Sequence, residues 1–341
     1  MSNLRIVYFG GPCGHVGGAS GEVEHAIRLW RKHGVHVTIV PTWGTVGSGT
    51  VMFAAETGCK VAESTPSKIH RLEGIADSIA VSCCNEMFFN ASKRLRELCP
   101  VVWMPAMCHA KLRDKDYIKN GPFSAVVFQS HYQQSSIQPV YRKLGQPDDT
   151  THVIRGAFDW DTVQWEPVKR RERFVGCRIA RAGIAKWNAD MWKCLSDVPN
   201  LKFHALGANT KILRKIGNPP KYARVYDPGS RKPSDLYRQS HFMLAMNGGD
   251  HENWPRVGLE AAAHGVAVVA ENQWGWKEMF DESSAILYAD QSELTEGIRR
   301  LESDEEFRMT IMRNARDRLE QHVCNSDEIT DQWLKLFGSL L

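Results

Sequence analysis

The sequence has no long apolar run. Its first hydrophobic stretch, Ile6–Phe9, is only four residues long and is followed by two glycines. A membrane-spanning helix needs about 20 apolar residues, and the core of a signal peptide needs at least about 7. No other window of the chain comes closer to a membrane helix. We therefore expect a protein that works in the cytoplasm.

A disulfide framework is also missing from the pattern. Nine cysteines are scattered along the chain, and no two of them form a Cys-x-x-Cys motif. Secreted disulfide frameworks normally use an even number of cysteines. Free thiols in a reducing compartment fit the sequence better, which agrees with a cytoplasmic location.

Three further signatures are lacking from the sequence. The segment GGPCGHVGG, which follows the first apolar run, does not have the Gly-x-Gly-x-x-Gly spacing of dinucleotide-binding proteins. Asp159 and Asp161 have the spacing of a metal-binding Asp-x-Asp pair, but they fall in a segment that we interpret as a linker. The histidines of the second half do not have the spacing of zinc ligands either; they are His204, His241, His251 and His264. We expect no metal and no resident cofactor.

The composition is that of a globular protein with room for two domains. The chain has 341 residues, of which 43% are hydrophobic and 24% charged. Its net charge is only +4, but basic residues are concentrated in the middle. Lys169–Lys186 holds seven basic residues and one acid, and 202–238 holds nine and two. This stretch suits a phosphate-rich ligand, although a solvated surface explains it equally well.

Short β-rich runs alternate with helical patterns along the whole chain. The runs in the first half are LRIVYF (4–9), VHVTIVP (35–41), SIAVSC (78–83), VVWMP (101–105) and AVVFQS (125–130). Those in the second half are RFVGCRI (173–179), KFHALG (202–207), ARVYD (223–227), SHFMLAM (240–246) and VAVVAE (266–271). This rhythm predicts an α/β protein with parallel sheets covered by helices.

The pattern stops and restarts once. The segment 155–172 has no clear period and contains Pro167, so we interpret it as the connection between two domains. We predict Rossmann-like domains at 1–160 and 161–320. The remaining residues, 321–341, are predicted to form a helix that packs back on the first domain.

Two groups of residues are candidates for ligand binding. Gly17 and Gly18 stand between the first strand and the first helix, where parallel sheets bind ligands and where backbone N–H groups can approach a phosphate. A tight structural turn explains these glycines nearly as well. The second group is sharper: Glu252 lies in a loop and Glu260 one turn into the following helix. A carboxylate there can accept hydrogen bonds from vicinal hydroxyls, while the helix start favours an anion.

The second group resembles a known family. Glu252 and Glu260, the stretch LEAAAHGVAVVA (259–270) and the turn QWGWKE (273–278) are similar to the signature of the family 4 glycosyltransferases, which have the GT-B fold. Weaker similarity extends over nearly the whole chain, in GGAS (17–20), RGAFDWDTVQWEP (155–167), FVGCRIARAGIAKWN (174–188), PNLKFHALG (199–207) and SDLYRQSHFMLAMN (234–247). The resemblance implies two Rossmann-like domains that face each other across a cleft. The first would be the acceptor-side domain, and the second would bind the nucleotide-sugar donor.

The resemblance also implies roles for individual residues. Arg178 and Lys186 would bind the diphosphate of a nucleotide-sugar, since positioned cations stabilise the charge of that leaving group. The family usually places its lysine five residues after the arginine. Gly183 occupies that place here, so Arg181 competes with Lys186 for the role.

The glutamates and their neighbours complete the implied donor site. Glu260 would bind the ribose and Glu252 the transferred sugar. The backbone of the intervening residues would contact the donor as well; these residues are Asn253, Trp254, Pro255, Arg256 and Val257.

Residues of the first domain are implied in the same site. Gly17 and Gly18 would close on the donor phosphates, and His109 would bind the sugar or the diphosphate. A structural role for His109 stays open, as it does for Ser130 and His131, which follow the strand AVVFQS.

The expected activity is transfer of a hexose from a nucleoside-diphosphate sugar, with UDP as the nucleotide, to an acceptor hydroxyl. Retention of the anomeric configuration is what the resemblance implies, and closure of the two domains would exclude water. The acceptor is open: a sugar, a small molecule, or hydroxymethylated cytosine in DNA. A non-catalytic nucleotide-sugar-binding protein and a nucleotide-sugar epimerase are the rival interpretations.

Overall fold

The computed structural model describes residues 4–11, 17–42, 46–169 and 173–341. The chain divides into two compact units. The first comprises Met1–Asp159 and Cys324–Leu341, and the second comprises Trp160–Val323. Within the described ranges, no helix is both long enough and apolar enough to cross a membrane.

The first unit is built on a parallel sheet of seven strands in the order β3-β2-β1-β4-β5-β6-β7. The strands are β1 (Arg5–Phe9), β2 (His36–Val40), β3 (Lys60–Val61), β4 (Ile79–Cys83), β5 (Val101–Met104), β6 (Ala125–Phe128) and β7 (Thr151–Val153). The connecting helices are α1 (Gly18–Lys32), α2 (Ser48–Thr57), α3 (Ser92–Leu98), α4 (Leu112–Lys119) and α5 (His131–Lys143).

The central strands of this sheet are apolar throughout because both of their faces are covered. Ile6 of β1 pairs with Val37 of β2 on one side and with Ile79 of β4 on the other. Beyond β4, the core continues as a cluster of aromatic rings, in which Trp103 and Phe123 are stacked with centroids 6.0 Å apart. The order of the strands reverses between β1 and β4.

The second unit repeats the architecture with six parallel strands in the order β10-β9-β8-β11-β12-β13. The strands are β8 (Phe174–Ile179), β9 (Leu201–Leu206), β10 (Ala223–Tyr226), β11 (Phe242–Ala245), β12 (Ala267–Glu271) and β13 (Ile286–Tyr288). The helices are α6 (Met191–Leu195), α7 (Thr210–Ile216), α8 (Pro233–Tyr237), α9 (Arg256–Ala263), α10 (Gly275–Met279), α11 (Gln291–Ser303) and α12 (Glu305–Arg318).

The reversal of strand order in this sheet lies between β8 and β11. The chain leaves β8 towards β9 and leaves β11 towards β12, on opposite sides. The connections that follow these two strands therefore run to opposite sides of the sheet, and the carboxyl edge between β8 and β11 is its switch point. Ligands of parallel α/β sheets bind at such a point.

The last helix, α13 (Ser326–Leu340), belongs to the first unit. Trp333 and Phe337 pack edge-on against Trp30 of α1, with ring centroids 5.2 and 5.3 Å away. Asn325 caps the helix by accepting hydrogen bonds from the backbone N–H groups of Asp327 and Glu328. Buried aromatic area of this kind is a major contribution to the stability of a core.

The predicted α/β class with two parallel sheets is confirmed. Every strand that we predicted is present, with ends that differ by no more than two residues from the predicted ones. Three strands escaped prediction, namely β3, β7 and β13. Each has only two or three residues and lies at or beside the edge of its sheet.

Candidate functional site

The loops after β8 and β11 bring most of the predicted site residues of the second unit together. Backbone hydrogen bonds join the two loops directly, since Gly248 N and Asp250 N both donate to Ala185 O, at 2.9 and 3.1 Å. Position 248 must be glycine, because a Cβ there would collide with the carbonyl oxygen of Trp187. The two loops at the switch point are thus fixed to each other.

Arg178 is buried beneath these loops, with only 2% of its surface exposed. Nη1 donates to Leu244 O at 3.0 Å, and Nη2 donates to Lys186 O and, at 3.2 Å, to Oδ1 of Asn247. Burial lowers the pKa of the guanidinium to about 10, against the attraction of Tyr288, Glu252 and Glu271. The side chain is therefore charged at neutral pH, and its bonds hold β8, β11 and both loops in register.

Lys186 and Glu252 form the centre of the site. Nζ of Lys186 lies 2.7 Å from Oε1 of Glu252 and 3.4 Å from Oδ2 of Asp250, and both partners in the shorter pair are less than one fifth exposed. Asn247 Nδ2 donates to the same oxygen of Glu252 at 3.1 Å. Partial burial strengthens such an ion pair relative to one on the surface.

Arg181 stands at the open side of this network. Its side chain is 55% exposed, and Nη2 lies 3.6 Å from Oδ2 of Asp250. Arg181 and Lys186 thus share one carboxylate. The two candidates for binding a diphosphate differ in surroundings, since Lys186 is largely enclosed and Arg181 is largely in solvent.

The helix α9 begins at Arg256, four residues after Glu252. Pro255 precedes its first turn, and Asn253 and Arg256 are buried. The backbone of Glu252 is held by Gly275, whose N–H donates to Glu252 O at 2.9 Å. The residues between the two glutamates are therefore fixed in position by main-chain packing.

Glu260 is oriented by a tyrosine that the sequence did not single out. The hydroxyl of Tyr237 lies 3.2 Å from Oε2 of Glu260 and 3.3 Å from Val257 O. Tyr237 is fully buried, and burial together with the negative charge of Glu260 raises the pKa of its hydroxyl well above the usual value. The hydroxyl therefore remains a hydrogen-bond donor to Glu260 over the whole neutral range.

The predicted residues of the first unit lie at the carboxyl edge of its own sheet. Gly17 precedes α1 and Gly18 is the first residue of that helix; Gly17 has φ +158° and its carbonyl accepts from Ser20 N at 3.2 Å. His109 is exposed in the loop after β5. Residues 12–16, which precede Gly17, lie outside the described residues.

Ser130 has a structural role. Its buried side chain caps α5 by accepting a hydrogen bond from Gln133 N at 3.0 Å. His131 is the first residue of that helix and is exposed. Of the histidines in the second half, His241 is buried and Nδ1 accepts from Val175 N at 2.9 Å. In the part of the chain that is described, no group of three His, Cys, Asp or Glu side chains is placed to hold a metal ion.

Glu271, at the end of β12, is a further titratable group near Arg178. Burial raises the pKa of its carboxyl to about 7, although the positive charge of Arg178 and a hydrogen bond from the Asn247 backbone favour the ionised form. No sequence motif singles out this residue, which ends the apolar run VAVVAE (266–271). The run does show where the strand stops, and polar residues at that point are candidates for any site at the sheet edge.

Comparison with known proteins adds a family relation for the second unit. Residues 170–334, just under half of the chain, match the sequence model of a family described as glycosyl transferase-like. This range contains Arg178, Lys186, Glu252 and Glu260. No curated protein sequence matches the chain.

Solved structures resemble the whole chain. Alr3699/HepE from Anabaena, in complex with UDP and glucose, is 16% identical with a TM-score of 0.74; the match covers 99% of this chain and 100% of that one. An α-glucosyltransferase in complex with UDP and DNA containing a HMU base is 15% identical, with a TM-score of 0.73 and coverage of 98% and 100%. TarM is 10% identical, with a TM-score of 0.76 and 98% coverage of both chains.

The fold is GT-B. At these identities the similarity establishes the architecture, and it agrees with the two parallel sheets that the resemblance implied. The chain thus has the GT-B architecture, and its residues 170–334 match a family model described as glycosyl transferase-like.

The raised pKa of Glu271 makes stability depend on pH. The ordinary pKa of this group is 4.5, so between about pH 4.5 and 7 the folded protein retains a proton that the unfolded chain has lost. Stability from this group therefore falls as the pH rises through that window. The side chain of Glu271→Gln is neutral at every pH. The difference in melting temperature, variant minus wild type, should therefore be more positive at pH 8 than at pH 5. Glu296→Gln, at an exposed position of α11, is the control. An equal difference at both pH values would contradict the assignment.

Proposed function

We propose that the protein is a retaining glycosyltransferase that moves a hexose from a UDP-sugar to an acceptor hydroxyl. The observation that carries this proposal is the network of Lys186, Glu252, Asn247 and Arg178 at the switch point of the second sheet. Its position is the one at which α/β sheets bind nucleotides. The network also falls inside the segment that matches the glycosyl transferase-like family.

Lys186 and Arg181 are the groups that we assign to the donor diphosphate. The leaving group gains negative charge as the sugar bond breaks, and cations that are already in place stabilise this charge without reorganisation. Glu252 and Asp250 hold Lys186 in position before the substrate arrives. No metal or resident cofactor is required by this proposal, because the two cations supply the positive charge and the nucleotide-sugar is a co-substrate.

Arg178 acts indirectly in this proposal. Its buried guanidinium donates to main-chain and amide oxygens, so it positions Lys186 and Asn247. This is a different role from the direct contact with the diphosphate that the resemblance implied. Its positive charge still contributes to the electrostatic potential at the site.

We assign the two glutamates to the two remaining parts of the donor, the ribose and the transferred sugar. Glu260, oriented by Tyr237, would accept hydrogen bonds from the ribose hydroxyls, and Glu252 would accept one from the transferred sugar. The segment 253–257 would contact the donor through its backbone. Gly17, Gly18 and His109 of the first unit are further residues that we assign to the donor, as the resemblance implies.

UDP is the nucleotide that the similar structures favour. Alr3699/HepE has been solved with UDP-glucose and with UDP and glucose, and the DNA-bound α-glucosyltransferase also holds UDP. Retention rests on the family resemblance, in which the departing phosphate takes the proton of the acceptor. A location in the cytoplasm stays a prediction from the cysteine pattern.

DNA is the alternative acceptor that a specific observation favours. The α-glucosyltransferase that shares this fold is bound to DNA containing a HMU base. The basic stretch that begins at Lys169 would suit the phosphates of such an acceptor. Arg170 and Arg171 of that stretch lie outside the described residues, whereas Lys169 and Arg173 are exposed.

A protein that binds nucleotide-sugars without transferring them is the alternative from another class. The arrangement speaks against it, because Glu252 holds the Lys186 ammonium at 2.7 Å in the place that we assign to the departing diphosphate. Simple binding would not require a cation fixed where the leaving group departs. Release of UDP that depends on an acceptor distinguishes transfer from binding and from epimerisation.

Lys186→Ala is expected to lower turnover by about a hundredfold, comparable to the loss of one fixed group that stabilises developing charge. Acceptor-dependent release of UDP from UDP-glucose measures the effect. Lys193→Ala removes an exposed lysine from α6 and should leave turnover unchanged. If Arg181→Ala is severely impaired while Lys186→Ala is normal, the diphosphate is bound by Arg181 instead.

Glu260→Ala should weaken binding of UDP by about 1–3 kcal/mol, the usual loss for a charge-assisted hydrogen bond. Tyr237→Phe should weaken it less, because it removes only the hydroxyl that orients the carboxylate. Titration calorimetry with UDP measures both, and Glu296→Ala on α11 serves as the control. Unchanged affinity in Glu260→Ala would remove this residue from the site.

The dependence of DNA affinity on salt concentration tests whether DNA is the acceptor. Contacts with DNA phosphates release counterions, so DNA affinity should fall by orders of magnitude between about 50 and 200 mM salt. Reversing the charges of Lys169 and Arg173 to Glu should weaken DNA binding and leave UDP binding intact. Reversal of Lys335, an exposed lysine of α13 that lies outside the basic stretch, is the control. A flat salt response would exclude DNA as the acceptor.

A further inference from the structure

A cavity of about 360 Å³ lies in the second unit at the carboxyl ends of β12 and β13. Glu271 and Tyr288, the last residues of these strands, form part of its wall, and the start of α11 forms another part. Its size falls in the range of small-ligand sites, which are typically about 300–1,000 Å³. The cavity is therefore large enough for one monosaccharide unit.

The chemistry of the wall limits what could bind there. Three carboxylates line the cavity, from Asp190, Glu271 and Asp290, and four side-chain amides accompany them. The twelve lining residues, all within the described ranges, include no lysine or arginine. Phosphates and other anions are disfavoured by such a wall. Carboxylates and amides instead offer many acceptors and several donors, which is the requirement of a ligand rich in hydroxyl groups.

The cavity is connected to the donor residues without sharing any of them. Asn188, which lines it, donates through Nδ2 to Asn247 O at 3.1 Å, and Tyr288 donates to Ala245 O at 3.0 Å. Both bonds end on the segment that leads to Glu252. None of the predicted donor contacts is a lining residue. A ligand in the cavity would thus lie beside the donor site.

We propose that this cavity binds an uncharged sugar unit of the acceptor through its hydroxyl groups, with Glu271 and Asn188 as hydrogen-bonding partners. This inference rests on the proposed function and deepens it by naming the acceptor class. It also places part of the acceptor site on the unit that carries the donor residues. The carboxylates of the wall would repel the phosphates of a DNA acceptor at this point.

The test fills the cavity without touching the donor residues. Ala289 lines the cavity, and Ala289→Phe should occupy it while keeping the charge of the protein unchanged. Asn218→Phe adds the same side chain at an exposed loop position far along the chain from the cavity residues. Saturation-transfer NMR with glucose, galactose and N-acetylglucosamine, on the full chain saturated with UDP, reports binding at the cavity.

At least one of these sugars should bind the wild type and Asn218→Phe equally, and binding should fall by about tenfold or more in Ala289→Phe, the equivalent of about 1.4 kcal/mol. UDP affinity should stay within about twofold in all variants, because the nucleotide contacts are untouched. Glu271→Gln provides a second variant that fills no space. At pH 8, above the pKa of Glu271, it should weaken sugar binding through loss of a charged acceptor.

Three results would overturn the inference: no sugar binds the wild type, sugar binding survives in both Ala289→Phe and Glu271→Gln, or inorganic phosphate binds the cavity in place of sugar. These results are independent of the proposed function, which the UDP titration tests separately. Failure of UDP to bind would contradict the glycosyltransferase and, with it, the acceptor role of the cavity. Binding of UDP without any sugar would contradict the cavity alone.

Discussion

The candidate site depends on the hydrogen bonds that the buried guanidinium of Arg178 donates. This guanidinium lies under the two loops of the switch point and donates to oxygens from β11, from the loop after β8 and from Asn247. A buried cation is costly unless its hydrogen bonds are made, so this side chain constrains where both loops can run. Nearby Glu252 and Glu271, together with Tyr288, stabilise its charge. One buried residue, Arg178, therefore constrains the positions of both loops of the site.

The charged side chains next to Arg178 form a chain of ion pairs in which positive and negative groups alternate. Arg181 shares Asp250 with Lys186, and Lys186 pairs with Glu252. Because each cation already has a carboxylate partner, binding an anionic ligand exchanges partners within the series instead of desolvating a bare cation. Such preorganisation lowers the reorganisation that a reaction with developing charge would need.

Much of this could be predicted from the sequence, and the reasons for the rest are physical. Continuous apolar runs such as β8 and β12 reveal buried parallel strands, and the spacing of Glu252 and Glu260 is visible in one dimension. The burial of Arg178 is not visible, since an arginine at a strand end is equally compatible with solvent. Tyr237 is a similar case, because its contact with Glu260 joins positions 23 residues apart. The order of strands, which creates the switch point, is also a property of three dimensions.

The placement of α13 has a consequence for how the protein is made. The first unit contains residues from both ends of the described chain, with Trp30 of α1 covered by Trp333 and Phe337. During synthesis, the amino-terminal segment leaves the ribosome first but lacks part of its core until α13 has been translated. The second unit, which is continuous in sequence, can complete its fold earlier. Until α13 is translated, the face of α1 around Trp30 therefore stays uncovered in the nascent chain.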